Sequence, residues 1–94
     1  MTTEEEVRRG LRAQALLADP LVADAFAALD SHCIEEWRRA GPRDVETRER
    51  LWLMLKLTER LKQHFASLVE DGRLAGERIA ALEKERKLKL FGRS

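Results

Sequence analysis

The chain has two prolines, and each follows a residue that marks a helix boundary. Asp19-Pro20 joins a strong N-cap to the residue favoured at the first helical position, and a residue before proline avoids helical geometry. One helix therefore ends near Ala18 and another starts at Pro20. Gly41-Pro42 supplies the second stop: glycine can take a left-handed cap, and proline bars continuation. Asp44 is then placed to cap a third helix. This punctuation cuts the chain into helical segments of about 3–18, 20–40 and 45 onward.

The rest of the composition agrees with helix. Charged residues make up 37% of the chain, well above the usual quarter. β-Branched residues are few: Val7, Val22, Val45, Val69, Ile34, Ile79 and the threonines. A sheet wants such residues, so the expected fold class is all-α. The expected architecture is an antiparallel helical hairpin with a short N-terminal helix and a C-terminal helical extension, in one domain of 94 residues.

The first helix opens with Thr3 and Glu6 at capping-box spacing, and Glu4, Glu5 and Glu6 complement the positive end of the helix dipole. Gly10 should weaken it by roughly 1 kcal/mol against Ala. The second helix carries the stripe Val22, Phe26, Leu29, Cys33 or Ile34, and Trp37. The third carries Leu51, Met54 or Leu55, Thr58, Leu61, Phe65 and Leu68. The short Ala40–Asp44 connection folds these two into a hairpin. Counting outward from it sets Ile34 opposite Leu51, Phe26 opposite Thr58 or Leu61, and Val22 near Phe65. The expected core is Phe26, Leu29, Ile34, Leu51, Leu61 and Phe65.

Gly72 and Gly76 interrupt the third stripe before Leu74, Ala75, Ile79 and Leu82 resume it. Residues 73–89 are thus a fourth helix after 45–71, or a kinked continuation of the third. A continuous helix to about Lys89 would be roughly 65 Å long. Leu90–Ser94 are expected to fray.

Net charge is +1, which gives no bulk attraction to polyanions. The distribution is uneven. Residues 19–36 hold Asp19, Asp24, Asp30, Glu35 and Glu36 without Lys or Arg, whereas the basic tail 84–94 holds Lys84, Arg86, Lys87, Lys89 and Arg93 against Glu85. That tail could touch phosphate oxygens. The longest apolar run, Leu51–Leu55, is far too short to span a bilayer, so no membrane partner is expected. An acidic N-terminus without an apolar run after it argues against a signal peptide, and the expected location is cytoplasmic.

Chemistry-bearing residues do not assemble into a site. The single cysteine, Cys33, has no disulfide partner in the chain and reads as a small core residue. His32 beside it points elsewhere on a helix, and no second His/Cys cluster exists, so no metal is expected. His64 reads as a partly buried side chain next to the inward stripe. Ser31 and Ser67 sit in no nucleophile-elbow pattern, and Asp71–Gly76 lacks the Lys-Ser/Thr end of a phosphate loop. No catalytic residue, cofactor or enzymatic activity is expected.

What remains is interaction. The run Leu51–Leu57 is apolar on nearly every side, so it should be covered from more than one direction. Trp52, Leu53, Leu74, Ile79 and Leu82 are the expected contact residues, with Lys84, Arg86, Lys87 and Lys89 as a cationic contact. Trp37 and Trp52 fall at the closed end of the hairpin, where packing is the simpler role. Surplus apolar surface predicts a homo-oligomer.

Leu17-Ala18-Asp19-Pro20, Ala25-Phe26, Glu36-Trp37, Asp44, Arg48-Glu49, Leu51, Lys56-Leu57, Leu61 and Gly72-Arg73-Leu74-Ala75 resemble small uncharacterised helical proteins of tailed phages and prophages. The resemblance spans about two thirds of the chain, from Leu16 to Ala75. It implies a gene among head and packaging genes, with a phage structural or packaging protein as partner, and it carries no functional residues. The expected function is a non-enzymatic assembly protein in phage head assembly or DNA packaging, in the host cytoplasm or on the virion. The alternative is a nucleic-acid-binding accessory protein, small-terminase-like, using the basic tail for weak DNA contact.

Overall fold

A computed structural model describes residues 1–92 of the chain. It contains α1 (Thr3–Ala18), α2 (Pro20–Arg39) and α3 (Val45–Phe91), with no strand among the described residues. The all-α architecture with a helical hairpin is as the sequence predicts.

Local chemistry sets the helix ends. The Thr2 hydroxyl accepts from the Glu5 backbone N–H at 3.2 Å, and the Glu5 carboxylate accepts from the Thr2 N–H at 3.4 Å. This is a reciprocal capping box, one residue earlier than the Thr3–Glu6 pair. Asp19 is extended (φ −69°, ψ 121°) and its carboxylate accepts from the Leu21 N–H at 2.9 Å, with Pro20 at the first helical position. Asp44 accepts from the Thr47 N–H at 3.2 Å and so caps α3.

The stop at Gly41-Pro42 works differently from expectation. No described glycine has positive φ. The chain leaves α2 at Ala40 in extended backbone (φ −63°, ψ 133°), while the Ala40 N–H still reaches the Glu36 and Trp37 carbonyls. Pro42 disfavours helical geometry at Gly41 before it, and the chain leaves α2 at Ala40 without a left-handed residue.

Residues 15–65 form one compact unit, built around α2 and the first part of α3. The two run antiparallel: Asp30 meets Lys62 at 3.4 Å, and nearer the loop the Arg48 guanidinium lies 4.7 Å from the Trp37 ring centre. Lys62 also sits 5.3 Å from the Phe26 ring, which places Phe26 at the level of Leu61 as counted from the loop. The rotation of the helices differs from expectation. Cys33 and Leu51 are the buried hydrophobic residues of this unit, and Phe26 and Phe65 are half-buried. Leu29, Ile34 and Leu61, expected in the core, are 48%, 44% and 48% exposed. Cys33 is the α2 residue that faces inward, and Ile34, its immediate neighbour about 100° round the helix, is turned outward.

The other unit joins Met1–Gln14 to α3 from Ala66 onward. Its core is made of small residues: Ala13 and Ala75 are buried, as are Gly10 and Gly72. A Cβ built on Gly10 would lie 2.8 Å from the Gly72 Cα and 2.9 Å from the Leu68 carbonyl oxygen. Gly10 thus meets Gly72 backbone to backbone, an approach that only glycine permits. Arg78 closes the contact on Glu6 at 3.2 Å. The order Glu6–Arg78, Gly10–Gly72 makes this pair antiparallel too.

Gly72 therefore does not break the helix. Of the two readings of residues 73–89, the chain takes the continuation, and 45–71 and 73–89 belong to the single element α3. Leu90 and Phe91, expected to fray, are helical. Arg93 and Ser94 lie outside the described residues.

Candidate interaction surfaces

In the unit of residues 15–65, the Asp30–Lys62 and Trp37–Arg48 contacts mark one flank of the hairpin. In antiparallel helices, side chains rotated the same way from the buried Cys33 and Leu51 share a flank. Leu21, Ala25 and Leu29 of α2 therefore share the opposite flank with Met54, Leu57 and Leu61 of α3. All six are exposed. Leu57 is 66% exposed and Leu21 77%, values that leave most of each side chain in water. The expectation that Leu51–Leu57 is covered on more than one side does not hold within the chain: Leu51 is buried, Leu55 half-buried, and Trp52, Leu53, Met54 and Leu57 are exposed.

At the closed end of the hairpin, Trp37, Pro42, Val45, Arg48, Glu49 and Trp52 line a surface cleft of about 340 Å3. The Arg48 guanidinium covers the Trp37 ring, and Lys56 sits 5.6 Å from the Trp52 ring centre. Such exposed cation–π contacts are worth about 0.5–1 kcal/mol each. They screen the indoles from water without burying them. The two tryptophans thus pack less completely than their place by the loop suggests.

In the other unit, Leu74 and Leu82 are exposed and Ile79 is half-buried. Every residue from Ala80 to Phe91 is exposed, including Leu88, Leu90 and Phe91. Lys84, Arg86, Lys87 and Lys89 lie on this same helical stretch, with Lys89 near Glu85 at 3.8 Å. Arg93, the last cation of the expected tail, lies outside the described residues. The structure thus places the expected contact residues in two groups, Trp52 and Leu53 on the hairpin, and Leu74 through Lys89 on α3. Sequence reasoning missed Leu21, Leu29 and Leu61 as surface, since it spent the latter two on the core. The Leu53-Leu57-Leu61 spacing of one helix face was the signal that could have found Leu61.

The potential chemistry is sparse. Cys33 is buried and His32 exposed, and no group of three or more His, Cys, Asp or Glu among the described residues is arranged to hold a metal ion. His64 is exposed, not partly buried, with its ring 6.3 Å from that of Phe65. One electrostatic cluster stands out on α3. Arg73 binds Glu70 through two N–H groups, at 3.0 and 2.6 Å, and also meets Glu77. Hydrogen bonding and charge from Arg73 hold the Glu70 carboxyl below the usual glutamate range, and the two carboxylates raise the Arg73 guanidinium further. The cluster is fully exposed, so it staples the helix surface and forms no pocket. No helix among the described residues is long and apolar enough to cross a membrane.

Comparison with protein-family models, with curated proteins and with solved structures finds no match to this chain.

Proposed function

We propose that this chain is a non-enzymatic, self-associating helical protein of phage or prophage origin that acts in head assembly or DNA packaging. One observation carries the self-association. The buried hydrophobic residues among those described are Ala13, Cys33, Leu51 and Ala75, whereas leucines, tryptophans and a phenylalanine line both units in the open. Covering a Leu-sized side chain yields roughly 1.5–3 kcal/mol, so a few of these residues suffice to favour association. Helical protomers with apolar faces left over close as symmetric dimers or rings, or extend as filaments. The phage setting rests on the resemblance of Leu16–Ala75. Sedimentation equilibrium across micromolar concentrations tests the proposal. Masses above 10.8 kDa that rise with concentration are expected. A constant 10.8 kDa ends it.

The second reading, a nucleic-acid-binding accessory protein, is favoured by the exposure of Lys84, Arg86, Lys87 and Lys89 on one helical end. Neutralising these four should flatten the salt dependence of duplex DNA binding. Undetectable DNA binding at low salt removes this reading.

A further inference from the structure

We infer that the basic end of α3 in one copy docks on the Leu21, Leu29, Leu57 and Leu61 flank of a second copy, head to tail; the inference rests on the self-association proposed above. Both surfaces are apolar and uncovered within their own units. The donor surface presents Leu88 and Phe91, three residues apart on the helix face that also carries Lys84 and Lys87, while Leu82 and Leu90 point to other sides; each of the four apolar residues is at least 64% exposed. Around them stand Lys84, Arg86, Lys87 and Lys89, outnumbering Glu83 and Glu85.

Charge selects the pairing. Residues 19–36 contain five carboxylates (Asp19, Asp24, Asp30, Glu35, Glu36) and no Lys or Arg. Asp30 is taken by Lys62 and Glu35 by Arg38. Glu36 borders the apolar flank beside Leu29, and Asp24 lies at its outer edge by helical rotation. On the α3 side the flank is bordered by Arg50 and Arg60, which steers incoming cations toward α2. A two-fold contact of one α3 end with another would oppose lysines to lysines. A two-fold contact of α2 with α2 would oppose carboxylates to carboxylates. Both are disfavoured, whereas basic end on acidic flank matches charge as well as apolar surface. Nucleic acid would satisfy the cations but leave Leu88 and Phe91 in water. A heterologous contact of this kind builds a ring if its rotation closes, and a filament otherwise.

The test is charge exchange. One variant carries Lys84→Glu with Lys87→Glu, the other Asp24→Lys with Glu36→Lys, and circular dichroism checks that each stays helical. Where reversal at half-buried Glu36 disturbs the helix, Glu36→Gln replaces it. Each variant alone should dissociate at concentrations roughly tenfold or more above the parent in sedimentation equilibrium. An equimolar mixture should recover assembly, because each basic surface then finds an acidic one. Variants that associate like the parent, or a mixture that stays dissociated, overturn this contact and leave self-association standing. A monomeric parent overturns both. A parent that remains monomeric yet binds a short DNA duplex through Lys84 and Lys87 assigns the basic end to nucleic acid instead.

Discussion

Gly10 and Gly72 touch backbone to backbone: a Cβ on either would lie 2.8 Å from the other's Cα. Neither residue has a positive φ, so no turn demands glycine at these positions. What demands it is the space between α1 and α3; Ala13 and Ala75, one turn along each helix, are buried as well.

The first prediction comes from that contact. In an open helix, Gly→Ala stabilises by about 1 kcal/mol. At Gly10 or Gly72 the added methyl meets backbone, which cannot swing aside, and overpacking of this kind costs about 1–3 kcal/mol. Gly10→Ala and Gly72→Ala should both lower the urea midpoint. Gly76→Ala, where a Cβ meets nothing within 4 Å, should raise it. The opposite signs within one helix separate packing from propensity.

Why the caps were legible in the sequence and this contact was not is a matter of range. Asp19 and Asp44 satisfy N–H groups two or three residues away, so their chemistry is written locally; the N-terminal box was legible as a type, but it falls at Thr2–Glu5, one residue before Thr3–Glu6. The sequence marks Gly10 as a weakness and Gly72 as an interruption, because propensity treats each glycine alone. Their shared meaning needs the pairing of two distant segments. The same holds for helix rotation: the level of Phe26 against Leu61 could be counted from the loop, but whether Cys33 or Ile34 faces inward depends on how closely α2 and α3 approach. Surplus apolar surface was visible beforehand at Trp52, Leu53, Leu74 and Leu82, since supply exceeded what short partner helices could cover. Leu29 and Leu61 were hidden from that reasoning because their stripe spacing fits a core equally well.

A second prediction concerns Asp19. Its carboxylate holds the Leu21 N–H at 2.9 Å, and Pro20 already fixes the first helical φ. Asp19→Ala should destabilise by about 0.5–2 kcal/mol. Asp19→Asn, which keeps an acceptor oxygen, should lose little by the same thermal melt.

A third concerns pH. Glu70 has a folded pKa below its ordinary value, through the Arg73 hydrogen bonds and charge. Its contribution to stability is therefore present above the ordinary glutamate value and is lost as pH falls through the lowered one. Full exposure means that screening keeps the effect on stability small, so the useful readout is the titration itself. Carboxyl chemical shifts should show Glu70 titrating below the ordinary glutamate value, and Arg73→Ala should return it to the ordinary range.

The fourth prediction separates folding from association. Leu51 is 5% exposed and Leu61 48%, although both belong to the stripe that the sequence directs at α2. Removing a buried Leu side chain costs about 2–5 kcal/mol, the transfer free energy plus the cavity left behind. Leu51→Ala should show that loss at any protein concentration. Leu61→Ala removes a side chain that is half in water, so under dilute, dissociated conditions its cost should fall well below that range. At higher concentration, Leu61 lies on the flank proposed to receive a second copy. There Leu61→Ala should weaken self-association in sedimentation equilibrium while the dilute melt stays near the parent. A Leu61→Ala melt shifted as far as that of Leu51→Ala in dilute solution would return Leu61 to the hairpin core and take away the apolar flank. A Leu61→Ala that neither melts early nor dissociates would leave the flank exposed but unused.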